Sequence, residues 1–319
     1  MKRLLTAACL LAATGAFAQR LPKPEPNVIY GSDDRLDLYQ VKDQKVLSLA
    51  DSTVALFEGA NVELKDGQAA LTTHSYSQSY NLCKEEPFYD QEAGAFCSGS
   101  LVGPDLVMTA GHCVPTADAC PGIKFVFGFG IKSEGAQPKA VAASEVYGCG
   151  QLIGREQNNT GADWALVKLD RPVTGHAPLK LDRGGEVANG DFLFVIGHPA
   201  GLPTKVAGGA KVRDASPQGF FVANLDTYGG NSGSAVFNAK TGLVEGILVR
   251  GEQDYVYKGE CRVSNVCPAD GCRGEDVTKI GSVGFPSLMS SAAAPARSAP
   301  IAPGLAALLD ANASALQRQ

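Results

Sequence analysis

Tryptophan occurs once and methionine three times in these 319 residues, against 37 glycines. Charge is sparse as well: the formal net charge is −5, and no block of basic residues interrupts the chain. That absence argues against a nucleic-acid partner, whose phosphates need a basic stripe or patch. No internal repeat with a helical period is present. The runs between glycines are short and rich in valine, leucine and phenylalanine, a pattern of many short strands rather than a helical bundle. The apolar run at the start is too short and too rich in alanine for a permanent membrane helix, so no stable membrane span is expected.

That start reads "MKRLLTAACLLAATGAFAQR". Lys2 and Arg3, an apolar stretch and Ala16-Phe17-Ala18 have the pattern of a cleaved secretory signal over residues 1–18. Acylation of Cys9 as a lipoprotein is the competing reading, but it leaves almost no apolar core before the cysteine. Setting Cys9 aside leaves eight cysteines: Cys83, Cys97, Cys113, Cys120, Cys149, Cys261, Cys267 and Cys272. An even number in an exported chain reads as disulfides formed in an oxidising compartment, which makes the protein secreted or periplasmic. Zinc competes for "CRVSNVCPADGC", but no histidine lies nearby and the two gaps are unequal, so no metal is expected.

Residues 19–50 divide into a proline-rich leader, "QRLPKPEPN", and a stretch that is either a first strand with a short helix or a removable pro-segment. Strand-like runs fill residues 51–170, including "STVALFEG", "FCSGSLVG", "DLVMTAG" and "WALVKLD". Residues 171–185, "RPVTGHAPLKLDRGG", are punctuated by proline and glycine as a connector. A second set of runs, among them "DFLFVIGHP", "GFFVANLD" and "LVEGILVRG", occupies residues 186–289. Such a chain suits two antiparallel barrels or a sandwich. From residue 290 to 319 the composition shifts to alanine, proline and serine, a loosely ordered tail.

"DTYGGNSGSAVFN", residues 226–238, raises the chemical question. It is either a glycine-rich turn before a strand or the seat of a nucleophile, Ser232. A serine hydroxyl attacks only when a base takes its proton, an acid orients the base and donors receive the developing oxyanion. Two other stretches offer those parts: "FCSGSLVGPDLVMTAGHC", ending in His112 and Cys113, and "GADWALVKLDRP", with Asp163 ahead of an apolar run. Alone, His112 could be a structural histidine and Asp163 the end of a turn. In combination and in this order the three resemble the trypsin/chymotrypsin-like serine peptidases over roughly residues 50–290. "GGNSGS" looks most like the bacterial branch that includes the glutamyl endopeptidases. The order histidine, aspartate, serine and the failed G-x-S-x-G pattern argue against an α/β-hydrolase.

The resemblance implies an all-β fold of two antiparallel six-stranded β-barrels with the active site in the cleft between them. The first barrel would carry the histidine and aspartate, the second the serine and the specificity pocket. It implies His112, Asp163 and Ser232 as catalytic residues, with the amides of Gly230 and Ser232 as oxyanion hole. It places Asp226, Thr227, Val249 and Gly251 at the substrate, with Asp226 suggesting cleavage after basic residues. It also implies a disulfide between Cys97 and Cys113. Two departures stand out: Asn231 replaces the aspartate that in trypsin pairs with a new N-terminus, and the cysteine usual near this loop is absent. Of the other histidines, His74 sits in a polar run, His176 in the connector, and His198 reads as structural. The expected function is a secreted serine endopeptidase that needs no cofactor and acts as a monomer on polypeptide substrate. A catalytically silent binding or adhesion protein on the same scaffold is the alternative.

Overall fold

Short apolar runs separated by glycine can hide their side chains only by pairing edge to edge and curling. The computed structural model, which describes residues 29–184 and 186–285, shows them doing so twice. The readings of residues 1–18 as a signal, of the leader up to residue 28 and of the tail from residue 290 fall outside the described residues.

The first barrel is built from β1 (Thr53–Glu58), β2 (Cys97–Gly103), β3 (Leu106–Thr109), β4 (Ile123–Val126), β5 (Val146–Gln157) and β6 (Asp163–Leu169). Its strands run β4-β5-β6-β3-β2-β1 and close from β1 back to β4, all antiparallel. The second comprises β7 (Phe192–Gly197), β8 (Lys205–Asp214), β9 (Phe220–Ala223), β10 (Ala235–Asn238), β11 (Val244–Arg250) and β12 (Glu275–Lys279). It runs β7-β10-β11-β12-β9-β8 and closes from β8 to β7. Closure leaves few free strand edges, which a sandwich would expose.

The two-residue period of a strand explains how the barrels meet. Along β7, Leu193 and Val195 join Phe221, Leu248 and Val277 in an apolar cluster of the second barrel. The alternate residues, Phe194 and Ile196, join a larger cluster that includes Val54, Val107 and Leu166 of the first barrel. Each such side chain contributes roughly 1.5–3 kcal/mol on burial. The barrels are therefore fused through an apolar face rather than hinged on a linker. The connector reinforces this: Leu179 N–H donates to Leu101 O at 2.8 Å, and Val244 N–H donates to Lys180 O at 2.9 Å.

Residues 29–50 are folded onto this frame. Ile29–Tyr30 pairs in parallel with Val266–Cys267, and Arg35–Asp37 extends the second barrel along β8. A short helix, Gln44–Ala50, follows, started by Asp43, whose carboxylate accepts the Lys45 amide at 2.7 Å. The described residues contain four disulfides: Cys83–Cys261, Cys97–Cys113, Cys120–Cys149 and Cys267–Cys272. Cys261 thus pairs outside the group with which it is clustered in the sequence. Among the described residues no helix is long and apolar enough to cross a membrane.

Candidate active site

The register of the first barrel brings His112 to Asp163. Ala165 of β6 pairs with Thr109 of β3, so the start of β6 lies beside the turn that follows β3. Asp163 Oδ2 is 2.8 Å from His112 Nδ1, and Asp163 Oδ1 accepts the amides of Gly111 at 2.6 Å and His112 at 3.2 Å. The aspartate side chain is buried, whereas that of the histidine is 32% exposed. One face of the imidazole is therefore anchored while its other edge looks outward. Position 111 must be glycine: a Cβ there would come within 2.0 Å of Glu156 O and 2.9 Å of Asp163 Oδ1. Asp163 is fixed from its backbone too, since its N–H donates to Thr278 Oγ1 at 3.0 Å and its carbonyl accepts from the same hydroxyl at 2.9 Å.

Ser232 stands in a loop whose polar groups are used in an alternating pattern. Asn231 N–H donates to Tyr228 O at 3.0 Å and Gly233 N–H to Leu248 O at 2.8 Å. The alternate amides, those of Gly230 and Ser232, make no hydrogen bond to any described residue. Free donors two positions apart in a short loop can together receive an anion. Asn231, buried and uncharged, is satisfied inside the loop: its Nδ2 donates to Thr227 Oγ1 at 2.6 Å, and its Oδ1 accepts from Ser234 Oγ at 2.8 Å.

The loop is held against the first barrel through Ser98 of β2. Ser98 N–H donates to Ser232 O at 2.8 Å, and Ser98 Oγ donates to Gly230 O at 3.0 Å. Gly233 permits this approach: it has φ +93°, and a Cβ there would lie 2.0 Å from Ser98 O. Cys113, the neighbour of His112, has its sulfur 3.6 Å from the same Ser232 carbonyl. The histidine turn and the serine loop therefore touch across the line between the barrels. Cys97, His112 and Cys113 also bring their side-chain donor atoms within 4.8 Å of one another, but both sulfurs are spent in the disulfide and offer no thiolate to a metal.

Of the four residues that the resemblance sets around substrate, three are committed to the protein's own contacts. Asp226 is 3% exposed and accepts the backbone amides of Tyr30 at 2.7 Å and Asp34 at 3.2 Å. Thr227 is buried against Asn231, and Val249 lies in the apolar cluster shared by the barrels. Only Gly251 remains partly exposed. Burial, and next the Asp226 carboxylate, hold the Asp34 carboxyl well above the usual range. Burial, and next Asp33, push Asp226 up to about 7. Of the remaining histidines, His198 is fully buried, with burial pulling it down to about 3, and its Nδ1 lies 3.0 Å from Leu202 O.

Sequence reasoning missed the outer ring of this site. Arg250 donates to Asp276 Oδ2 at 3.0 Å and to Gly161 O at 2.8 Å, and its NH1 lies 4.0 Å from Asp163 Oδ2. Its signal was a cation closing the apolar run "ILVRG". Thr278 carried no signal, because it reaches Asp163 across 115 residues.

Residues 97–247 match the trypsin-like peptidase domain. Over 97 residues the chain is 31% identical to a trypsin of Sarcophaga bullata, a stretch that is 30% of this chain and 36% of that protein. The chain thus spans about a third of that curated relative's length. Among solved structures, the inactive form of the Rv3671c protease aligns with a TM-score of 0.43 and 14% identity, covering 80% of this chain and 94% of that one. A serine-to-alanine mutant of Rv3671c from M. tuberculosis H37Rv, also an inactive form, gives 0.42 and 14%, covering 84% and 99%. Over these residues the chain is thus similar to trypsin-like peptidase domains.

Proposed function

We propose that this protein is an exported serine endopeptidase that hydrolyses peptide bonds through Ser232, His112 and Asp163. The observation that carries the proposal is the doubly held Asp163. One of its oxygens meets His112 Nδ1 at 2.8 Å while the other is locked by two amides. A carboxylate so fixed keeps the proton on Nδ1 and leaves Nε2 as the base.

In the reaction, His112 Nε2 takes the Ser232 proton as Oγ bonds to the substrate carbonyl carbon. The carbonyl π pair moves onto oxygen, and the free amides of Gly230 and Ser232 receive that oxyanion. Collapse expels the amine, which takes the proton from His112, and leaves an acyl group on Ser232. Water then repeats the sequence, giving its proton to His112 and releasing the acid as Ser232 recovers its hydrogen.

Four disulfides accord with an oxidising compartment, secreted or periplasmic. Asn231 supports a place in the bacterial branch that includes the glutamyl endopeptidases, because a neutral residue satisfied within its loop asks for no N-terminal ion pair. Cleavage after Arg or Lys would need a carboxylate open to substrate. Asp226 is closed off by Tyr30 and Asp34, so the proposal covers peptide hydrolysis without that preference. The test is digestion of an unfolded polypeptide by the wild type and by Ser232→Ala. Fragments from the first and none from the second are expected; intact substrate in both would favour a silent binding protein on the same scaffold.

A further inference from the structure

A buried carboxylate needs partners, and those of Asp226 lie nearly two hundred residues away in the segment that precedes the first barrel. Both of its oxygens are engaged there: Oδ1 by Tyr30 N–H at 2.7 Å and Oδ2 by Asp34 N–H at 3.2 Å. The same segment grips the serine loop a second time, two residues further on. The Arg35 guanidinium, buried and paired with Asp33 at 2.6 Å, lies 4.2 Å from the centre of the Tyr228 ring. Tyr228 in turn supplies the carbonyl that holds Asn231 N–H, and its hydroxyl donates to Ser264 Oγ at 2.5 Å. The segment is anchored independently, with Ile29 N–H donating to Asn265 O at 2.9 Å, Gly31 N–H to Cys267 O at 2.8 Å, and Arg35–Asp37 paired to β8. Asp226 and Tyr228 are thus fixed points between a docked strap and the residues that present the two free amides.

We propose that Asp226 is a positioning residue rather than a substrate-recognition residue: by binding the amides of Tyr30 and Asp34 it ties residues 29–37 to the serine loop and holds Gly230 and Ser232 in their anion-accepting conformation. The proposal rests on the peptidase reading and adds to it a role for a segment remote from the reacting atoms. No new chain end is required, because the donors are internal backbone amides. The tie should act on the chemical step. A loosened loop still binds substrate but misplaces the oxyanion donors, whose individual loss lowers turnover by about a hundredfold or more.

The test uses the full chain with Tyr30→Pro, Tyr30→Phe and Asp226→Asn. Proline at position 30 removes only the donor to Asp226, since the neighbouring strand bonds come from Ile29 and Gly31. Phenylalanine keeps that donor and isolates the phenol, which donates to Glu275 Oε1 at 3.3 Å. Kinetics are read on peptides with Arg, Leu or Ala before the cut, together with the rate at which a fluorophosphonate labels Ser232. For Y30P and D226N a loss of about tenfold or more in kcat and labelling rate is expected, equal across the three peptides with KM little changed. Y30F should lose the smaller share. The proposal is overturned if D226N raises KM for the Arg peptide alone, or if Y30P keeps wild-type rates. Should Y30P fail to fold, D226N decides by the same split between kcat and KM. Wild-type protein that takes no label would instead sink the peptidase reading itself.

Discussion

Asp163 meets His112 at two points: its Oδ2 faces the ring Nδ1 at 2.8 Å, and its Oδ1 accepts the backbone amide of the same histidine at 3.2 Å, together with that of Gly111. Replacing the carboxylate with the isosteric amide keeps most of this frame but allows the wrong imidazole tautomer. Asp163→Asn is therefore expected to lower kcat by about 10⁴-fold with KM little altered. Steady-state kinetics on a peptide ester would check it, and a loss under tenfold would remove Asp163 from the mechanism.

The close approach at Gly111 makes a stability prediction independent of catalysis. A methyl group there must displace the Glu156 carbonyl and the Asp163 carboxylate. Gly111→Ala should cost about 3 kcal/mol, at the high end for a single substitution. Urea unfolding monitored by circular dichroism measures it; an unchanged midpoint would mean that the turn is looser than described.

The Cys97–Cys113 disulfide closes a loop of 16 residues between β2 and the His112 turn. Its removal by the double alanine variant should cost about 3 kcal/mol by the chain-entropy model. Activity at low temperature should also fall, because Cys113 adjoins both His112 and the Ser232 carbonyl. A stable, fully active variant would show that the strand pairing alone holds the histidine.

His176, in the connector, lies between two carboxylates, with Nδ1 2.8 Å from Asp51 and Nε2 2.7 Å from Glu145, and its ring stacks 4.3 Å from that of Phe127. Burial pulls its pKa down, but the bonds to Glu145 and Asp51 outweigh that and raise it above the ordinary value. The folded protein then binds this proton more tightly than the unfolded chain does. The stabilisation is complete below the unfolded value of about 6.5 and is lost as pH rises through the folded one. Thermal melts of the wild type should show this decline on the alkaline side, and His176→Gln should flatten it. Parallel profiles would contradict the clamp.

Asp34 gives the same sign for a different chemical reason. Burial, and next Asp226, raise its carboxyl well above the usual range, so the native state binds this proton more tightly than the unfolded chain, which releases it near pH 4. Stability from this site should fall as pH rises from about 4 towards neutrality and beyond. Asp34→Asn retains the backbone donor to Asp226 and removes the titration. It should melt higher than the wild type at pH 8 and show a smaller difference at pH 4; an equal gain at both would refute the coupling.

Much of this was open to sequence reading because the proposed reacting groups sit in local signals. His112, Asp163 and Ser232 each lie in a short stretch whose composition is unusual by itself, although the glycines beside two of them are required by distant residues, Glu156 at Gly111 and Ser98 at Gly233. The strands were visible as apolar runs, but closure into barrels rather than a sandwich came only with the resemblance. What stayed hidden depends on distant contacts. Asp226 finds Tyr30 at a separation of 196 residues, and Cys261 finds Cys83 at 178. Cys83 was one of eight candidate disulfide cysteines and Tyr30 one of nine tyrosines, so only the fold could choose the pairs. Asp226, which the resemblance sets at the substrate, accepts two of the chain's own backbone amides.

The most direct measurement is the reaction of the purified protein with a fluorophosphonate, followed by intact mass and peptide mapping. The expected result is a single adduct on Ser232, formed far more slowly in His112→Ala and not at all in Ser232→Ala. No adduct, or an equal rate without the imidazole, would mean that His112 and Ser232 do not work together.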